Sequence, residues 1–169
     1  IISEYEKIRD SFIKDFVYAD FMYDGSVVYE LAINHFADEK IIAIDSKGIS
    51  FNENGAEKLK FFAGMIQDYI ESYLVVLTAI SDSGNSGMSR KELVTEVRKT
   101  GTRMYHLNLI QCSESLSIIN YNNAIDRFIE AGLLGVKGEA KSHIIITDKK
   151  KTIALKTMIT GYLDKVRSS

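Results

Sequence analysis

The chain has 169 residues, 46% of them hydrophobic, and a formal net charge of -2, which allows a buried core as one domain or two small ones. That near-neutral total hides a division. Residues 1–80 carry 7 Lys/Arg against 14 Asp/Glu, and residues 81–169 carry 14 against 9, so the second half suits an anionic partner or the acidic half of its own chain. One cysteine, Cys112, excludes an internal disulfide and fits a reducing compartment. No signal peptide stands out, and the longest uncharged apolar run is about half of the ~20 residues a membrane span needs. The chain opens at Ile1 already in helical patterning, as expected for a piece of a longer protein. With no proline, element boundaries are read from Gly, Asn, Asp and Ser.

Residues 3–17 place Tyr5, Ile8, Phe12 and Phe16 on one face of an amphipathic helix. Asp24, Gly25 and Ser26 form a turn with an N-cap for a second helix over 27–37. Two β-rich runs, KIIAID and ISFNENG, flank a short loop in which Gly48 can be left-handed, which predicts a hairpin. In 59–80, Leu59, Phe62, Ile66, Tyr69, Tyr73, Val76 and Ile80 recur at steps of three and four. That spacing predicts one long central helix, capped by Asn54 with Glu57 reaching back. Its apolar residues keep to one side at first and wrap the helix after Glu71, so it runs into the middle of the molecule.

SDSGNSG, residues 81–87, is the one linker-like stretch. Ser89 and Glu92 make a capping box for a helix carrying Leu93, Val94 and Val97, continuing through Met104 and Leu107 with a break expected at Gly101. A helix over 118–131 is expected to bury Ile118, Tyr121, Ile125 and Phe128 and to stop at Gly132. Residues 133–136 and 143–147 read as a hairpin turning near Gly138, and Asp148 caps a last helix with Ile153, Leu155, Met158, Ile159, Tyr162 and Val166. The order helix, hairpin, helix thus occurs twice. The expected fold is mainly α with small β-hairpins: two winged-helix-like units sharing a long central helix. The divisions are 1–80, a polar linker at 81–87, and 88–169.

Residues with reactive side chains are few. His35, in NHFADE, has Asp38 and Glu39 nearby but no second histidine at ligand spacing, so it reads as a helix-end histidine and no metal is expected. His106 stands alone. His143 and Asp148 in HIIITD have the H-x4-D spacing of glycerolipid acyltransferases, but an extended strand sets them roughly 15 Å apart at ~3.3 Å per residue; a wing strand followed by a cap is the simpler reading. Cys112, in QCSESLS, lacks a local acid–base partner and reads as a packed or loop thiol. No phosphate-cradling glycine loop occurs. No catalytic residue and no cofactor are expected.

The cationic groups are Arg90, Lys91, Arg98, Lys99, Arg103, Lys149, Lys150 and Lys151, candidates for contact with anionic lipid or a partner domain. Nucleic acid is the poorer match, because the expected recognition helix holds Asp126 and Glu130 against one Arg127.

In chain order, KDFVY (14–18), GISFNENGAEKLKFFAGMIQDYIESYLVVLTAI with its E-S-Y (Glu71, Ser72, Tyr73), SRKELVTEVRK, and NNAIDRFIEAGLLGVKG together resemble the C-terminal region of the large membrane-bound glycerol-3-phosphate acyltransferases, whose relatives use dihydroxyacetone phosphate. The family's catalytic H-x4-D and its substrate blocks lie upstream of this region and are absent here. The resemblance implies a non-catalytic accessory domain. Its parent would transfer an acyl chain from acyl-CoA or acyl-carrier protein to sn-1 of glycerol 3-phosphate in phospholipid synthesis. The domain would pack on the catalytic domain, on the cytoplasmic side and peripheral to an anionic membrane surface. The alternative is a stand-alone winged-helix module that binds nucleic acid or a protein.

Overall fold

The computed structural model describes residues 2–11, 22, 24–84, 87–138 and 143–168. Among these residues the chain is mainly helical, with seven α-helices and two small antiparallel hairpins. It divides into two compact units, Ile1–Met65 and Ile66–Ser168.

In the first unit, α1 (Ile2–Ser11) meets α2 (Gly25–Asp38). The expected helix over 3–17 is present as far as Ser11; Phe12, Phe16 and most of the aromatic segment after them lie outside the described residues. Tyr5 donates its hydroxyl to the Met22 carbonyl at 2.9 Å. Asp24 caps α2, accepting from the amides of Ser26 and Val27. β1 (Ile42–Asp45) and β2 (Gly48–Phe51) then pair in register, with Asp45 opposite Gly48. Gly48 takes φ +125° to close the turn, a value that suits glycine. Ile41 and Ile42 are buried, and α3 (Gly55–Gly64) follows. At Gly55 a Cβ would run into the Ile41 carbonyl, so only glycine lets α3 start there.

The one long helix expected over 59–80 is two helices. α3 ends at Gly64, the Met65 amide closes back on the Phe62 carbonyl at 3.2 Å, and α4 (Gln67–Asp82) starts after Ile66, whose φ of -113° and ψ of 2° are not helical. Gly64 is a poor helix former, about 1 kcal/mol worse than alanine. The expected Asn54 cap is also absent: Asn54 is left-handed at φ 60° and makes no side-chain capping bond. The units therefore part at 65/66, and the expected linker falls within the second unit, where α4 ends at Asp82.

That second unit is built round α4. Ile70 through Leu77, then Ala79 and Ile80, are all buried. α5 (Arg90–His106), a 3-10 turn (Ser113–Leu116), α6 (Ile118–Glu130) and α7 (Lys149–Ser168) all pack on it. Tyr73 meets Phe128 edge-on, with ring centroids 5.4 Å apart, a contact worth ~0.5–1.5 kcal/mol beyond the area it buries. The Ser89–Glu92 capping box forms as expected.

Gly101 does not break α5. A Cβ there would strike the Tyr121 hydroxyl and crowd Leu116 and Val75 at 3.1 and 3.2 Å, so glycine marks where α5 passes closest to its neighbours. Tyr121, Ile125 and Phe128 are buried as expected, but Ile118 is exposed in the first turn of α6. Gly132, at φ +70°, ends that helix. β3 (Leu134–Lys137) and β4 (His143–Ile146) form the second hairpin, and Met88 adds a single antiparallel bridge to Ile144 on β4.

Candidate functional site

The E-S-Y triplet lies on α4 at the centre of the second unit, and each side chain has a structural task. Glu71 is fully buried, and its carboxylate accepts from the backbone amides of Gln111 (2.9 Å) and Cys112 (2.9 Å) and from Gln67 Nε2 (2.9 Å). Arg167 Nη2, from the far end of α7, lies 3.3 Å from the same carboxylate and donates to the Leu109 carbonyl at 2.8 Å. A buried carboxylate is tolerated only when its lone pairs are met by donors; here four groups meet them, and the segment 109–112 is pinned to α4 as a result. Ser72 Oγ donates within its helix to the Asp68 carbonyl (2.7 Å), reaches the Ser115 carbonyl (2.9 Å), and accepts from Asn120 Nδ2 at 3.4 Å. Tyr73 fills the core against Phe128.

Cys112 sits against this node. Burial, with the carboxylates of Glu71, Asp68 and Glu114 adding to it, pushes the thiol up to about 11. A thiol held protonated at neutral pH is a weak nucleophile. Asp68 is itself raised, mainly by burial. His143 opens β4, while Asp148 caps α7 by accepting from the Lys151 amide at 2.9 Å. The strand forms, so the two lie at opposite ends of an extended run and do not make an acid–base pair. His35 is in the last turn of α2 beside Phe36, and His106 ends α5 beside Tyr105. Among the described residues no group of three or more His, Cys, Asp and Glu is placed to hold a metal ion.

The eight basic residues fall in three places. Arg90 and Lys91 start α5, and Arg90 is engaged: its guanidinium grips Asp126 with two bonds and reaches Asn122 at 3.1 Å. Arg98, Lys99 and Arg103 line a shallow concavity on the outward face of α5 together with Thr95, Thr102 and His106. Lys99 pairs with Glu96 at 3.4 Å and Arg103 with Asp82 at 2.8 Å. Lys149, Lys150 and Lys151 start α7, and Lys151 lies 3.5 Å from Asp148. Such exposed pairs hold their partners weakly, at ~0–1 kcal/mol each.

A groove of about 460 Å³ runs between α5 and α7, with α4 beneath. Leu74, Met104 and Leu163 form its buried floor, and Arg103, Lys156 and Arg167 lie along its walls. Of these cations only Arg103 was legible as a candidate. Lys156 and Arg167 are single charges on a helix whose pattern says nothing about what they face.

Residues 1–137 match the family described as the glycerol-3-phosphate acyltransferase C-terminal region, and the chain belongs to that family. Among curated proteins it is 21% identical over 161 residues to the dihydroxyacetone phosphate acyltransferases of Oryctolagus cuniculus and Homo sapiens, covering 94% of this chain and 23% of each of theirs. The Bos taurus protein of that name is 23% identical over 118 residues, or 70% of this chain and 17% of its own. The chain thus spans under a quarter of the length of these relatives. No helix among its described residues is long and apolar enough to cross a membrane.

Proposed function

We propose that this chain is a non-catalytic accessory domain of an acyltransferase that acts on glycerol 3-phosphate or dihydroxyacetone phosphate. The parent would draw its acyl group from acyl-CoA or acyl-carrier protein. The observation that carries the reading is the Glu71 node. The chain's best-placed carboxylate is fully buried and committed to two backbone amides, a glutamine and an arginine. The neighbouring thiol is held protonated. Groups of the kind that perform acyl chemistry are here spent on holding the fold. The family match over 1–137 and the names of the three relatives supply the reaction class.

The first unit supports a packing role. It exposes Ile44, Ile49 and Phe51 on its hairpin and Phe61, Phe62 and Met65 at the end of α3. Large apolar side chains left in water in such number mark interaction surfaces, and the catalytic domain of the same enzyme is the partner we assign to them. The exposed cations Lys91, Arg98, Lys149 and Lys150 would face an anionic membrane surface on the cytoplasmic side, where the parent would hold the domain peripherally. Pelleting with anionic but not neutral vesicles is the expected result, and indifference to lipid charge would count against that face.

For the second unit we also propose winged-helix order. α4, the Met88 bridge, α5, α6 and the β3–β4 hairpin follow one another as helix, strand, helix, helix and wing, and the bridge from Met88 to β4 is what favours this over an ordinary helical bundle. A nucleic-acid role for that shape is the weaker reading. Arg90 is tied to Asp126, and the start of α6 exposes Ile118 and Ile119, where a phosphate-reading helix would present cations.

The test is made in a full-length enzyme that carries this region. Glu71→Gln and Ser72→Ala should lower its melting temperature and leave kcat and KM of the folded fraction unchanged. A large fall in kcat at unchanged stability would show that the node takes part in the reaction.

A further inference from the structure

We propose that the groove between α4, α5 and α7 seats a single-chain anionic amphiphile, a fatty acyl chain that ends in a carboxylate or phosphate. The floor, made by Leu74, Met104 and Leu163, is fully apolar and 1–6% exposed. At the mouth, Leu107 and Leu109 stand 62% and 50% exposed on either side of Asn108. Asn108 has φ 54°, a left-handed conformation that asparagine tolerates better than most residues, and this turn holds both leucines beside the groove. The Arg167 bond to the Leu109 carbonyl fixes the same lip. Two large apolar side chains kept in water at the edge of an apolar trough lose little and gain a contact surface when a chain lies between them.

The walls choose the head group. Arg103, Lys156 and Arg167 face the groove against one carboxylate, Asp164. Arg103 is paired with exposed Asp82, Arg167 meets Glu71 at 3.3 Å while its buried Nε has no hydrogen-bond partner among the described residues, and Lys156 has no ion pair among them, so Lys156 is the wall's least committed cation. Thr78 and Thr160 add hydroxyls. A trough with a greasy floor and cationic walls matches a molecule with a greasy tail and an anionic head. Its volume of about 460 Å³ falls in the ~300–1,000 Å³ range of small-ligand sites. The groove carries this by itself, whatever reaction the rest of the enzyme performs.

Isothermal titration calorimetry on the 169-residue chain, below micelle-forming concentrations, tests it with four probes: palmitate, 1-palmitoyl lysophosphatidic acid, 1-palmitoyl lysophosphatidylcholine and inorganic phosphate. The two anionic amphiphiles should bind one to one, the zwitterionic lipid with the same tail at least tenfold more weakly, and phosphate without measurable heat. Leu107→Asp at the lip and Lys156→Glu in the wall should each weaken palmitate at least tenfold with an unchanged circular-dichroism melt. Lys149→Glu at the start of α7 should not. Should Leu107→Asp lower the melt, Leu109→Asn replaces it. The proposal is overturned by no heat with either anionic amphiphile, by equal affinity for charged and zwitterionic heads, by binding at several molecules per chain, or by groove variants that bind like the parent chain.

Discussion

Glu71 is the residue of α4 on which four donors converge. Removing one partner of a buried, hydrogen-bonded charge pair costs ~3–5 kcal/mol, so Glu71→Gln should lower the free energy of unfolding by about that amount in urea titrations. A change under about 1 kcal/mol would mean that the carboxylate is not what holds 109–112. Cys112 reports on the same node from outside. With its thiol near 11, the thiolate fraction at pH 8 is ~10⁻³, roughly a hundredfold below that of an ordinary cysteine. Iodoacetamide should therefore react about a hundred times more slowly with the native chain than with urea-unfolded chain at the same pH. Equal rates would place the thiol in water. In the sequence Glu71 shows only as a charge interrupting an apolar run, because apart from Gln67, one turn back, its partners are forty or more residues away at 111–112 and ninety-six away at Arg167. Local spacing carries no trace of contacts at such separations.

Among the elements, α5 shows both what patterning conveys and where it stops. Its start was legible, since serine followed by glutamate three residues on is a local device, and Ser89→Ala should cost ~1 kcal/mol in a thermal melt. Gly101 was misread as a break because low helix propensity is visible in the sequence and the Tyr121 oxygen facing it is not. Gly101→Ala gains up to ~1 kcal/mol of propensity but overpacks the crossing at ~1–3 kcal/mol, so it should be destabilising. Tyr121→Phe removes a buried hydroxyl that has no hydrogen-bond partner among the described residues and should be neutral or stabilising. The double variant should recover part of the Gly101→Ala loss, and strict additivity of the two changes would place their contact elsewhere. The 59–80 stripe misled for a related reason: a two-residue break at 65–66 leaves the periodic apolar spacing in the sequence unchanged.

Three of the helices also share an electrostatic device. Asp24 and Asp148 are held below the usual carboxylate range by hydrogen bonds at the starts of α2 and α7, and Glu92 by its backbone and side-chain bonds to Ser89 in the α5 capping box. A carboxyl lowered on folding stabilises the native state fully above its unfolded value near 4, and that stabilisation is lost as pH falls through the lower folded value. Melting temperature should thus hold between about pH 7 and 5 and fall below about pH 4, with a shallower fall in Asp148→Asn. An identical slope in that variant would remove α7's cap from the account.

For the whole molecule, the order of helices and hairpins could be read from turn residues and period, while the division could not. The change of charge at 81–87 suggested a boundary, yet α4 and α5 share one core, and the compact units part at 65/66. Composition marks where a chain is polar, and contacts alone mark where a core ends. Part of the family resemblance was legible because it falls on residues of this core: E-S-Y is the node on α4, and the helix–GLL–hairpin ending is α6 running into β3.

We propose that the reactive-looking groups of this chain serve its fold and not a reaction. The most direct measurement is acyl transfer by the purified 169-residue chain, with radiolabelled palmitoyl-CoA and either glycerol 3-phosphate or dihydroxyacetone phosphate as acceptor. The predicted result is no acylated product above the protein-free control. Product that accumulates in proportion to the chain and disappears in Glu71→Gln under conditions where that variant remains folded would contradict it.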